Sequence, residues 1–269
     1  HTADKLFTLE LDGSNLRTVA TARSGYPGMY AAWTADGSKL VFQDYDASWQ
    51  RVLYVVELTT LHRWQLVGPE SGLALQENPV RSGDGNWILF DGAPSYPAPF
   101  WVPHRVRPDG TGLEVIGPAG AVHPALSSDG RTLVYQGPSG LELRDLVTGS
   151  VTQLGVTGDW PVWAPSGDEI YFLDVADPNE PTGRVRAVRP DGTGLRTLGS
   201  AGTVVHRRVS VSPDGRYLIG RLAHSDFLVV IEIATGAEVT LPFRYVDGYG
   251  IPYAFDGPVW KPASPPGQS

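Results

Sequence analysis

The chain has 269 residues, of which 32 are glycine and 23 proline, about a fifth of the total against roughly 12% in average usage. With 41% hydrophobic residues and eight Trp, eleven Tyr and eight Phe, it is too apolar for a disordered chain and too densely punctuated for long helices. The absence of cysteine excludes a disulfide framework, thiolate metal sites and cysteine nucleophiles, and a net charge of −8 without any basic run argues against nucleic-acid binding.

Read in chain order, the sequence alternates two kinds of apolar hairpin. The first kind is WTADGSKLVF (33–42), RSGDGNWILF (81–90), LSSDGRTLVY (126–135), WAPSGDEIYF (163–172) and VSPDGRYLIG (211–220), with a sixth start, WKPASPPG, at Trp260. The second kind is LFTLELDGSNLRTVA (6–20), VLYVVELTTLHRWQLV (52–67), HRVRPDGTGLEVIG (104–117), LELRDLVTGSVTQLG (141–155), RVRAVRPDGTGLRTLG (184–199) and LVVIEIATGAEVTLPF (228–243). Each is a short apolar strand, a turn and a second strand. Asp-Gly suits the turn because glycine adopts positive φ freely and aspartate bonds its own backbone. Successive positions equivalent to Trp33 fall at 81, 126, 163, 211 and 260, a period near 45 residues. Four strands per unit at that period predict an all-β, six-bladed β-propeller with four-stranded blades. The last blade is expected to combine an inner strand near 257–260 with the N-terminal hairpin 6–20 and to be three-stranded or irregular. One propeller domain then spans 1–269, with 262–269 as an extended C-terminal tail. Trp33, Trp163 and Trp260 recur at one repeat position and are expected to pack between sheets.

The pattern W-S-P-D-G-x-x-I-x-F, carried best by VSPDGRYLIG and WTADGSKLVF with ELDGSNLRTVA as an outer hairpin, resembles the TolB-type propeller repeat across essentially the whole chain. The resemblance implies the fold directly and function only indirectly, because a propeller hosts many activities. Relatives of the repeat occur in periplasmic scaffold proteins, in oligogalacturonate lyases and as the gating propeller of prolyl oligopeptidase-like peptidases. The chain carries no G-x-S-x-G elbow, P-loop, H-E-x-x-H or EF-hand loop. The expected function is therefore a non-catalytic interaction scaffold, an accessory subunit of a larger membrane-associated assembly. The alternative is a polysaccharide lyase of the oligogalacturonate type, or a sugar- or metal-binding propeller. The start at His1 rather than Met fits a processed chain, and a periplasmic or otherwise extracytoplasmic location is expected. No stretch is apolar enough for a membrane span; the longest lies near Phe227 to Ile231.

Residues opening the inner strands should line the mouth of a central channel. Tyr30, Glu77, His123, Asp159, His206 and Arg208 are the candidate ligand-binding set. His123 and His206 are also the leading candidates for a divalent cation, since the related lyases hold a metal in a histidine-rich channel site. Asp44 and Asp46, a D-x-D between the second and third strands of the first blade, are a weaker pair for Ca²⁺. No resident cofactor is otherwise expected. Two aromatic, proline-stiffened segments depart from the repeat, 91–104 and 244–257; Tyr96, Phe100, Trp101, Tyr249 and Tyr253 are the candidate partner-binding residues.

Overall fold

The computed structural model describes residues 5–10, 14–22, 30–177, 180–223, 225, 227–241, 245–246, 252–253 and 258–262, of which 176–177, 180–181, 245–246 and 252–253 are described by backbone alone. An outer hairpin comes first, β1 (Lys5–Thr8) with β2 (Arg17–Thr21). Blade 1 is β3 (Ala31–Trp33), β4 (Lys39–Tyr45), β5 (Arg51–Glu57) and β6 (Arg63–Gln65). Blade 2 is β7 (Leu75–Arg81), β8 (Ile88–Ala93), β9 (Val102–Val106) and β10 (Glu114–Val115). Blade 3 is β11 (Val122–Leu126), β12 (Thr132–Gly137), β13 (Gly140–Asp145) and β14 (Val151–Gln153). Blade 4 is β15 (Asp159–Trp163), β16 (Ile170–Asp177), β17 (Glu180–Val188) and β18 (Arg196–Thr197). Blade 5 is β19 (Val205–Val211), β20 (Tyr217–Leu222), β21 (Leu228–Glu232) and β22 (Glu238–Leu241). A small ribbon follows, β23 (Tyr245–Val246) and β24 (Pro252–Tyr253). Every pairing is antiparallel, and the order within each blade is the order in sequence, as the repeat predicts.

The recurrent S/T-x-D-G segment is a small hydrogen-bonded device. In blades 1, 2, 3 and 5 the hydroxyl of Thr34, Ser82, Ser127 or Ser212 donates to Asp36, Asp84, Asp129 or Asp214 at 2.5–2.6 Å. The same oxygen accepts the backbone N–H five residues on, at 2.9–3.1 Å. Each aspartate also accepts an N–H two residues later, so the carboxylate bridges both limbs of the turn. The glycine after it closes a turn back to the hydroxyl residue and takes positive φ, 76° at Gly85, where a side chain would be strained. Partial burial pushes the Asp36 carboxyl up, but hydrogen bonds from Ser38 and Thr34 outweigh it and hold the group at about 2. Blade 4 lacks the hydroxyl: Ala164 takes its place, and Ser166 bonds Asp168 on the surface instead.

The core lies between blades. Ala32, Val41, Leu53 and Val55 of blade 1 pack on Ile88, Phe90 and Val106 of blade 2, and similar layers follow around the ring. The repeated tryptophan joins neighbours, since the Trp163 indole donates to the Ala125 carbonyl of the preceding blade at 3.2 Å. Trp260 makes the equivalent bond to Ser210 at 3.1 Å, although 258–260 forms no regular strand. Val259, Leu6, Val19 and Ala20 pack with Trp33, Leu40 and Phe42 of blade 1. The sixth blade is thus irregular and shared by the two ends of the chain. Residues 263–269 of the expected tail lie outside the described residues.

If the hydroxyl device holds the turns, Ser82→Ala should cost about 1–3 kcal/mol, because it strands the part-buried Trp87 N–H and removes a donor from a carboxylate. Ser166→Ala, on the surface of the blade that lacks the device, should change stability by less than about 0.5 kcal/mol. Urea unfolding midpoints of the two variants check the contrast.

Candidate functional site

The inner strands of blades 2 to 5 share an irregularity at their start. Pairing of β7 with β8 skips Asn78 and Pro79, that of β11 with β12 skips His123 and Pro124, and that of β15 with β16 skips Trp160 and Pro161. The first residue of each bulge is left-handed, with φ of 57°, 54° and 54°, a state costing a non-glycine residue about 1–3 kcal/mol. In blade 5 the left-handed residue is Arg207 (φ 62°), and pairing skips Arg207 and Arg208 with no residue of β20 left over opposite them, where the other blades leave one. Counting back from Val211 therefore assigns the bulge position to Arg208, and the structure moves it to Arg207.

These bulges surround one end of a central channel of about 400 Å³, walled by the inner strands of blades 1 to 5 and by Val259 and Trp260. At its mouth the His123 Nδ1 lies 2.5 Å from Asp159 Oδ1, across the boundary between blades 3 and 4. The Gln136 amide, with its nitrogen turned toward Asp159, donates to the same carboxylate at 2.7 Å. The His123 ring stacks on Trp160 with centroids 3.5 Å apart, and Trp160 meets Tyr30 at 5.6 Å. Tyr30, only 3% exposed, accepts a bond on its hydroxyl from Arg207. Beneath this layer Asp91, 1% exposed, accepts the backbone N–H of His123 at 3.0 Å and the Asn78 amide at 2.9 Å. Glu77 pairs with Arg51 at 2.5 Å.

Most of the candidate set thus converges on the mouth, each residue with a distinct partner. His206 is turned to Arg207, whose Nε donates to its Nε2 at 3.1 Å. Arg208 reaches across the ring, donating to the carbonyls of Pro79 in blade 2 and Ala31 in blade 1 at 3.1 and 2.8 Å, so it braces the channel wall. Among the described residues no three His, Asp or Glu side chains are grouped to hold a metal ion. The D-x-D pair is divided: Asp44 is buried against Arg63 at 2.6 Å, while Asp46 caps its own turn by accepting from Ser48 and Gln50. Asp91 was not among the candidates. Its signal is a polar residue after three apolar ones on the second strand, LVFQ, ILFD, LVYQ, where only the inner strand draws attention.

Burial raises the Asp91 carboxyl to about 6 against the pull of His123, and burial raises Glu77 to about 7 against Arg51. Burial lowers His123, but Asp159 and Asp91 outweigh it and its pKa is raised.

Strand pairing fixes which loops share the mouth. Leu75 pairs with Ala93, so β8 ends at the mouth and loop 94–101 leaves from that face; loop 46–50 after β4 does the same. Tyr96 is 77% exposed and Phe100 45%, and Trp101, half-buried, anchors the loop through its carbonyl to Gly120 N–H at 2.8 Å. Trp49, 62% exposed beside Tyr45, adds an aromatic that was not among the candidates. Tyr249 lies outside the described residues, as does the side chain of Tyr253.

Asp91 and Glu77 bind protons more tightly folded than unfolded, so their ionisation lowers stability as pH rises from about 4 through 7. His123, raised in the fold, contributes stability below its unfolded pKa that is lost as pH rises through its folded value. All three act in one direction. The melting temperature should fall by several degrees between pH 5 and pH 8, and Asp91→Asn should flatten that slope by removing one share of it. Circular dichroism melts at four pH values check this.

No family model and no curated protein matches the chain. Solved structures do. TolB from Acinetobacter baumannii superposes with a TM-score of 0.73 at 18% identity over 96% of this chain and 63% of that one; the chain spans less than two thirds of its length. A protein from Agrobacterium tumefaciens described as TolB gives 0.73 at 17% identity, covering 94% of this chain and 92% of that one. An oligogalacturonate lyase in complex with manganese gives 0.56 at 18% identity, covering 91% and 74%. The chain has the TolB-like six-bladed β-propeller fold.

Proposed function

We propose that the chain is a non-catalytic protein-interaction propeller, one domain across residues 1–269, acting outside the cytoplasm as an accessory subunit of a membrane-associated assembly. The observation that carries this reading is the aromatic rim of the mouth face. Trp49, Tyr96 and Phe100 project from neighbouring blades, and large exposed aromatics on anchored loops are what protein interfaces use as anchors. The likeness to TolB supports the extracytoplasmic setting. Among the described residues no helix is long and apolar enough to cross a membrane.

A photocrosslinking amino acid placed at Tyr96, in the native envelope fraction, should capture a discrete partner band. Placed at Val147, 71% exposed in the β13–β14 turn on the opposite face, it should not. Free monomer at both positions, or equal capture at both, overturns the reading.

A further inference from the structure

Four consecutive bulges put Asn78, His123, Trp160 and Arg207 at equivalent places around the mouth, all with left-handed backbone. Strain repeated at one position in successive blades points to use. All four side chains carry N–H donors and none is acidic. Asn78 is committed to Asp91. Of the other three, His123 meets the Asp159 carboxylate through Nδ1 alone, and Arg207 feels Glu77 through space. Trp160 is 8% exposed, and among the described residues its indole N–H has no hydrogen-bond partner. With the His123 Nδ1 held by Asp159, no described residue bonds its Nε2. Arg207 donates to the Tyr30 hydroxyl and the His206 ring, and its charge also acts on Glu77. The three are connected: imidazole on indole at 3.5 Å, indole to Tyr30 at 5.6 Å, and the Arg207 guanidinium 5.5 Å from the Tyr30 ring.

We propose that His123, Trp160 and Arg207 form a carboxylate-binding site at the channel mouth. A planar monoanion suits it: beyond its bonds to His206 and Tyr30 the Arg207 guanidinium keeps its charge and its Nη2 donors, and the indole and imidazole nitrogens each offer one more. Asp159 and Asp91 behind the imidazole favour its charged, donating form and disfavour a dianion such as phosphate. The channel that His123 and Trp160 line has room for a small acid or for one acidic side chain. The carboxylate comes either from a free organic acid or from an acidic segment of a bound protein. The site does not rest on the interaction reading, because loss of the Tyr96 crosslink leaves acid binding in place.

Two probes separate the sources: sodium butyrate, and the capped peptide Gly-Gly-Glu-Gly-Gly, with sodium chloride and the Gln peptide as controls. Tryptophan fluorescence should show a saturable change with a carboxylate probe and none with its control. Binding of both probes admits free acids; binding of the peptide alone assigns the site to a partner's acidic segment. Arg207→Gln should weaken binding at least tenfold. In the wild-type protein, one indole ¹⁵N–H resonance, assigned by its loss in Trp160→Phe, should shift on addition of the bound probe, which keeps the test independent of how the variants fold. Absence of saturation with both probes, an unmoved Trp160 resonance, or wild-type affinity in Arg207→Gln overturns the proposal.

Discussion

A bulged strand turns a backbone N–H away from its ladder, and in a channel wall that N–H must find another acceptor. For blades 2 and 3 the preceding blade supplies it. The Asn78 N–H bonds the Gln43 side chain of blade 1 at 3.3 Å, and the His123 N–H bonds Asp91 of blade 2. β7 and β11 are therefore bent by their own sequence and held bent by the preceding blade, whereas in β15 the Trp160 N–H bonds the Asp159 carboxylate of its own strand at 2.7 Å. Because unsatisfied buried donors are costly, this obligation ties blade 2 to blade 1 and blade 3 to blade 2 at the mouth. The interlayer packing and the tryptophan bonds to preceding carbonyls then fill in the same boundaries.

The obligation also sets the electrostatics. An acceptor placed in a buried wall need not be charged, and at Asn78 it is an amide. At His123 it is a carboxylate, and the consequence is a cluster in which Asp91, Glu77 and Asp159 surround one imidazole. Such a cluster is less secure than apolar packing, since each buried carboxylate gives up hydration for its bonds. Its retention at the mouth, beside Tyr30 and Trp160, is a local departure from the rule that the rest of the ring follows.

The ring was legible in the sequence because its determinants are local. A hydroxyl, an aspartate and a glycine within four residues make the turn, and the same tryptophan position recurs whatever lies between. Most of the mouth was legible too, since counting back from the tryptophan reaches Tyr30, Glu77, His123 and Asp159. What failed to show is what depends on pairing across a blade boundary. Asp91 acts on a residue 32 positions away, and the different pairing of the fifth blade's bulge, which exchanges Arg207 and Arg208, leaves no mark on a count made from one end. The carboxylates of Asp44 and Asp46 look alike in sequence; one faces Arg63 and the other its own turn only once β4 is seen to end between them.

Among the described residues one boundary differs from the others. The β16–β17 hairpin runs past its blade, and Thr182 and Gly183 pair with His206 and Val205 of β19, making blades 4 and 5 a single sheet. Elsewhere adjoining blades meet mainly through side chains, which can slide; backbone ladders cannot slide without breaking. The two blades consequently form a stiff sector, so distortion of the ring concentrates at the other seams. Trp160 and Arg207 stand on this sector, one on each blade, and their spacing is held by main-chain bonds, while His123 across the next seam is held only by what its side chain and bulge can grip.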